Sequence, residues 1–133
     1  MPSVLRLQHA AITVPVEGID EARRFYSGVL GLREVPRPPE LHDRAGIWYS
    51  FGATELHIQT RRDLPPETGD RHPAFIVDDL DAWRARFEDA GVAVVDQPTI
   101  YGRRRFNVRD PFGNLLELMT EGDSIVGAPA PHA

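Results

Sequence analysis

The chain repeats itself. His9-Ala-Ala-Ile-Thr-Val and His72-Pro-Ala-Phe-Ile-Val match in residue type, and a second copy at a fixed interval is the sequence mark of a fold built from tandem units. The segments C-terminal to the two copies match as well. Ile19-Asp20 and Leu80-Asp81 open amphipathic runs with apolar residues at helical spacing: Ala22, Phe25, Tyr26, Val29 and Leu30 in the first, Leu80, Trp83, Phe87 and Ala90 in the second. Each run stops at a glycine, Gly31 or Gly91, where a helix C-terminus favours a residue that tolerates positive φ. A β-rich stretch then ends in Thr54-Glu-Leu-His-Ile in one copy and Leu115-Leu-Glu-Leu-Met in the other.

Each copy therefore reads as strand, helix, then two or three antiparallel strands. Strands are expected at 4–14, 33–36, 46–51 and 54–60, and again at 72–77, 92–95, 104–109 and 114–120. Asp110-Pro-Phe-Gly-Asn114 has tight-turn chemistry between two alternating segments. Pro-rich loops punctuate 36–46 and 62–73, and the second is the natural seam. The expectation is an α+β chain with module 1 at about 4–61, module 2 at about 72–120 and a frayed tail from Gly122.

Side-chain alternation along strands assigns faces. His9, Ala11 and Thr13 share one side of the first strand; Glu55, His57 and Gln59 share one side of the fourth. His72, Ala74 and Ile76 do so in the fifth, and Leu115, Glu117 and Met119 in the last. Each opposite face is apolar. The pattern predicts a cup-shaped mixed sheet with helices outside and a partly polar concave side. A single strand histidine is ordinarily a hydrogen-bonded bystander. Here His9 pairs with His72, and His57 with Glu117, at equivalent repeat positions, which points to a shared role. Imidazole and carboxylate together suit first-row divalent cations such as Fe, Mn, Co, Ni or Zn. His42 and His132 fall in a loop and the tail and receive no role.

Composition excludes a good deal. The 133 residues carry no cysteine, so there is no disulfide, thiolate ligand or thiol nucleophile. All 15 basic residues are arginine, which removes Schiff-base chemistry and the P-loop. A net charge of −5 without a basic tract argues against nucleic acid. The four serines (Ser3, Ser27, Ser50 and Ser124) stand in no G-x-S-x-G setting. No stretch is long enough for a membrane helix, and Met1–Gln8 lacks a signal-peptide apolar run, so a cytoplasmic location is expected.

The paired βαβββ-like units, Phe25-Tyr-Ser-Gly-Val-Leu-Gly-Leu32 and Arg109-Asp-Pro-Phe-Gly-Asn-Leu-Leu-Glu-Leu118 resemble the vicinal oxygen chelate superfamily over residues 5 to about 120. That group includes glyoxalase I, methylmalonyl-CoA epimerase, extradiol dioxygenases, fosfomycin-resistance enzymes and bleomycin-binding proteins. The resemblance implies one divalent metal ion held by His9, His72 and Glu117. His57 matches a fourth-strand position where glyoxalase I and the epimerase carry Glu or Gln; it is either a fourth ligand or a proton shuttle. The implied chemistry is stabilisation of charge on two vicinal substrate oxygens, with Glu117 or His57 moving a proton and Glu55 a weaker candidate base.

Arg105, Asn107 and Arg109 are expected on one strand face; the resemblance implies that this strand lines the cup, with Arg105 and Asn107 in contact with substrate and a guanidinium suited to a carboxylate or phosphonate, while a solvated loop at Arg103 to Arg105 is the alternative. Tyr101, Trp48 and Tyr49 are candidate wall residues, though core packing accounts for them equally. Departures narrow the reaction. Ala11 stands where fosfomycin-type enzymes carry Thr, lysine is absent, and Asn107 stands where extradiol enzymes usually carry Tyr. The expected function is a metal-dependent lyase, isomerase or dioxygenase acting on a small metabolite, with a homodimer implied by the resemblance. The alternative is a drug- or metabolite-sequestering protein of the bleomycin-resistance type, and an enzyme remnant with the ligands kept as a polar core is a third reading.

Overall fold

A computed structural model describes residues 1–122. The expected frayed tail lies beyond them apart from Gly122. The chain divides into two units, the first comprising Met1–Gly69 with Asp110–Asn114, the second Asp70–Arg109 with the residues from Leu115 on.

In the first unit, strands β1 (His9–Pro15), β2 (Glu34–Val35), β3 (Gly46–Ser50) and β4 (Glu55–Arg61) form a sheet in the order β1-β4-β3-β2. β1 and β4 run parallel and the other pairs antiparallel. The second unit repeats this with β5 (Ala74–Ile76), β6 (Val95–Ile100), β7 (Arg103–Arg109) and β8 (Leu115–Met119), ordered β5-β8-β7-β6. Again only the first pair is parallel. The architecture is α+β, two mixed four-stranded sheets each with its own helix. Among the described residues no helix is long and apolar enough to cross a membrane.

Burial follows the alternation. Ile12 and Val14 of β1, Ile47 and Tyr49 of β3 and Leu56 and Ile58 of β4 are buried, with Ala22, Phe25, Tyr26 and Leu30 of the helical segment. That segment is less regular than its periodicity predicts. A 3₁₀ turn at Val16–Gly18 leads into α1 (Ile19–Arg23), and Arg24–Val29 widens to the i→i+5 pattern. Gly31 (φ 65°) then ends it, with Leu32 N–H donating to Tyr26 O at 2.9 Å. In the second unit α2 (Leu80–Asp89) is capped by Asp79, whose carboxylate accepts Ala82 N–H at 3.1 Å. Leu80 and Phe87 face inward, and Phe87 meets Phe106 edge to face at 6.0 Å. Leu116 and Leu118 complete that core. Filling it is worth several kcal/mol; removing a ring such as Phe87 typically costs about 3–5 kcal/mol.

Three strands differ from expectation. β1 begins at His9, because Val4, Leu5 and Leu7 are almost wholly exposed and find no sheet neighbour to order them. β6 spans Val95–Ile100 rather than 92–95, with a register shift between Gln97 and Ile100; Pro98 lacks the ladder N–H, which favours such an irregularity. β5 starts at Ala74, so His72 precedes the strand. Pro73 still contributes its carbonyl, which accepts Glu117 N–H at 3.1 Å.

The Asp110 turn is built into the first unit. Buried Asp110 accepts from Tyr26 O–H (2.6 Å), Phe112 N–H (2.9 Å), Asn114 N–H (2.9 Å) and Asn114 Nδ2 (2.8 Å). Asn114 Nδ2 also donates to Thr13 O at 3.1 Å. The D-P-x-G-N motif is thus explained by fold, with no reference to chemistry.

Candidate functional site

Register places the singled-out residues in matching positions of the two sheets. His57 lies opposite Ala11 on one side and Trp48 on the other. Glu117 lies opposite Ala74 and Asn107. His9 is two residues before Ala11, and His72 two before Ala74. Each first-position histidine is therefore diagonal to the key residue of the neighbouring parallel strand, close enough for long side chains to meet. They do meet in both units.

In the first unit the His57 ring is stacked between Trp48 (centroids 3.9 Å apart, 3° between planes) and His9 (4.0 Å, 17°). His57 Nε2–H donates to Glu55 Oε1 at 2.8 Å, and this bond holds the Glu55 carboxyl below the usual carboxylate range. The lone pair of a neutral His57 is then on Nδ1. His9 is exposed, and its Nδ1–H donates to Gln8 Oε1 at 2.6 Å. Its lone pair is accordingly on Nε2.

In the second unit His72 Nδ1–H donates to Asp70 O at 2.7 Å, while Nε2 lies 3.0 Å from Glu117 Oε1. A carbonyl oxygen only accepts, so Asp70 fixes the proton on Nδ1 and directs the other nitrogen at the acid. Glu117 is buried. Its second oxygen accepts from Arg105 Nη1 at 3.3 Å, and Arg105 Nε donates to Pro98 O at 2.8 Å. Arg105 already spans a carboxylate and a backbone carbonyl. Asn107 shares that sheet face, and its Oδ1 is buried without a hydrogen-bond partner. Arg109, opposite Leu115 in the ladder, is exposed.

The donor types fit a divalent cation. Ligating histidines characteristically give their remaining N–H to a carbonyl or carboxylate, which fixes the tautomer; His9 and His72 each have Nδ1–H tied to an amide-type oxygen. Two ligands each about 2.1 Å from an ion and at right angles to one another are about 3 Å apart, the spacing of His72 Nε2 and Glu117 Oε1. The orphaned Asn107 oxygen lies in the same neighbourhood. Among the described residues, however, no three His, Asp or Glu side chains are arranged to hold an ion by themselves.

Sequence reading missed two partners. Gln8 and Asp70 act through an amide and a backbone carbonyl, which no motif advertises. Trp48 was ambiguous between wall and core until the register set it against His57. Tyr101 has φ 49° beside Gly102 (φ 73°) in the β6–β7 turn, and Tyr49 is buried with its hydroxyl 2.8 Å from Ser27 Oγ.

Comparison with known proteins agrees with the fold. A glyoxalase family protein from Bacillus anthracis is 34% identical, with a TM-score of 0.82 over 90% of this chain and 98% of that one. A lactoylglutathione lyase from Agrobacterium tumefaciens is 25% identical (TM-score 0.66; 90% and 95% covered). A glyoxalase/dioxygenase from Nostoc punctiforme, 22% identical, shares the fold (TM-score 0.73; 92% and 99% covered). No curated protein matches. The family profile matches residues 6–118, and with the duplicated sheet topology it establishes that the chain belongs to the Glyoxalase/Bleomycin resistance protein/Dioxygenase superfamily.

Proposed function

We propose that the chain is a metal-dependent enzyme acting on vicinal oxygens of a small metabolite, by lyase, isomerase or dioxygenase chemistry. His9, His57, His72 and Glu117 would hold one divalent cation (Fe, Mn, Co, Ni or Zn). The observation that carries this reading is the matched ring orientation in the two repeats: Nδ1–H of His9 on Gln8 Oε1 and Nδ1–H of His72 on Asp70 O, each turning Nε2 to the far side of the ring, where in His72 it meets Glu117. A structural histidine has no need of that arrangement twice at equivalent positions.

A bound divalent ion supplies Lewis acidity to two neighbouring substrate oxygens. The chain's own groups do the rest. Arg105 orients Glu117 through its 3.3 Å contact. Glu55 fixes the proton of His57 on Nε2, so Nδ1 serves as a ligand or accepts a proton from substrate. Trp48 and His9 clamp that ring and limit its rotation. Glu117 is the other candidate to move a proton. The Agrobacterium tumefaciens relative is a lactoylglutathione lyase, which supports lyase chemistry among the three. A cytoplasmic homodimer completes the proposal.

Two observations favour sequestration instead, in the manner of a bleomycin-resistance protein. Arg105 already sits against Glu117, and no three-ligand group occurs among the described residues. Elemental analysis of protein purified without chelator separates the two readings. The enzyme reading expects about one divalent ion per chain, lost in His72→Ala. Metal-free protein that binds a hydrophobic drug tightly would establish the binder.

A further inference from the structure

We propose that Asn107, through Oδ1, is a further ligand to the divalent cation assigned above to His72 and Glu117; this rests on the metal-dependent reading. Asn107 and Glu117 face each other directly across the β7–β8 ladder. Directly opposed side chains leave the same sheet face with Cβ atoms about 4.5–5.5 Å apart. Glu117 offers two carboxylate oxygens, His72 turns Nε2 to one of them at 3.0 Å, and Asn107 adds a buried amide oxygen with no partner. Arg105 Nη1 donates to the other Glu117 oxygen, while Arg105 Nε goes to Pro98 O.

A buried acceptor left unpaired is costly, and its persistence calls for an unseen partner. A cation that replaces the proton shared by His72 Nε2 and Glu117 Oε1 would answer imidazole, carboxylate and amide oxygen at once, whereas a hydroxyl or amide donor answers the Asn107 oxygen alone. The other unpartnered buried atom among the described residues, Arg37 Nε, differs in kind. It is itself a donor, and its guanidinium's outer nitrogens are tied to Arg44 O and Leu41 O. A neutral amide oxygen adds a hard donor without charge, so a set of imidazole, carboxylate and amide oxygen suits Mn(II), Fe(II) or Co(II).

The test is titration of the metal-free protein with Mn(II) and Co(II), read by calorimetry and by the visible spectrum of the cobalt form. Asn107→Ala is expected to weaken binding by roughly tenfold or more and to alter the cobalt bands, while Asn107→Asp retains binding. The melting temperature of metal-free Asn107→Ala should match that of the parent, because the deleted oxygen makes no bond. Unchanged affinity and spectrum in Asn107→Ala, with binding still lost in His72→Ala, would overturn the assignment of Asn107 alone. A parent protein that binds neither ion would overturn the metal-dependent reading itself.

Discussion

Tyr26 donates its phenolic proton to Asp110 at 2.6 Å, although 84 residues separate them in the chain. Both are buried, and the same carboxylate accepts from the backbone of Phe112 and Asn114. The bond joins the wide-turn helical segment to the Asp110 turn inside the first unit. Burial first, then the negative Asp110, pushes the Tyr26 hydroxyl well above its ordinary value near 10.

Tyr26→Phe should therefore destabilise the protein by about 1–3 kcal/mol at neutral pH, since a buried carboxylate loses a donor. The pH dependence has a definite sign. Above about pH 10 the unfolded tyrosine releases its proton while the folded one keeps it, so stability falls as pH rises toward the folded value. Urea unfolding at neutral pH and at about pH 11 should show this alkaline loss in the parent. It should be reduced in Tyr26→Phe, leaving the smaller part due to Tyr49, which burial also raises. An equal alkaline loss in both proteins would contradict the assignment.

Gly113→Ala tests the same turn from the backbone. Gly113 has φ 91°, and a Cβ there would collide with the carbonyl oxygen of Glu67. Positive φ alone costs on the order of 1–3 kcal/mol for other residues, and the backbone clash adds to it. Gly52→Ala is the control: its φ is 93° and a Cβ would meet nothing within 4 Å. Thermal melts should rank Gly113→Ala clearly below Gly52→Ala.

Removal of metal gives a third expectation. An ion that binds only the folded chain stabilises it by about 2.7 kcal/mol at a free concentration a hundredfold above Kd. Dialysis against a chelator should lower the melting temperature, and re-addition of Mn(II) should restore it. Glu117→Gln should abolish the restoration, because it removes the charge that attracts the ion. A melting temperature indifferent to chelator and metal would contradict the proposal.

Trp48 offers an optical test of His57. In Trp83→Phe the remaining tryptophan ring is stacked 3.9 Å from His57. A paramagnetic Co(II) or Cu(II) ion ligated by His57 would quench that emission strongly. The prediction is quenching with one ion bound, relieved in Trp83→Phe/His57→Ala. Stoichiometric binding without quenching would make His57 the proton-moving group instead of a ligand.

Much of this was legible in one dimension. The duplicated His-x-x-x-x-Val segments, the 3.6-residue and two-residue periodicities and the terminal glycines announced two units of one strand, one helix and antiparallel strands, because local burial patterns are repeated wherever the backbone geometry is. The equivalence of His9 with His72, and of His57 with Glu117, came from the same repeat. Tertiary structure decided what those residues touch. Whether Arg105 awaits an anion or braces Glu117, and which nitrogen of His72 carries a proton, depends on Pro98 and Asp70 carbonyls that every sequence possesses and none displays. The orphaned oxygen of Asn107 likewise exists only once strands β7 and β8 are paired, since an unmet hydrogen bond is a property of surroundings and not of composition.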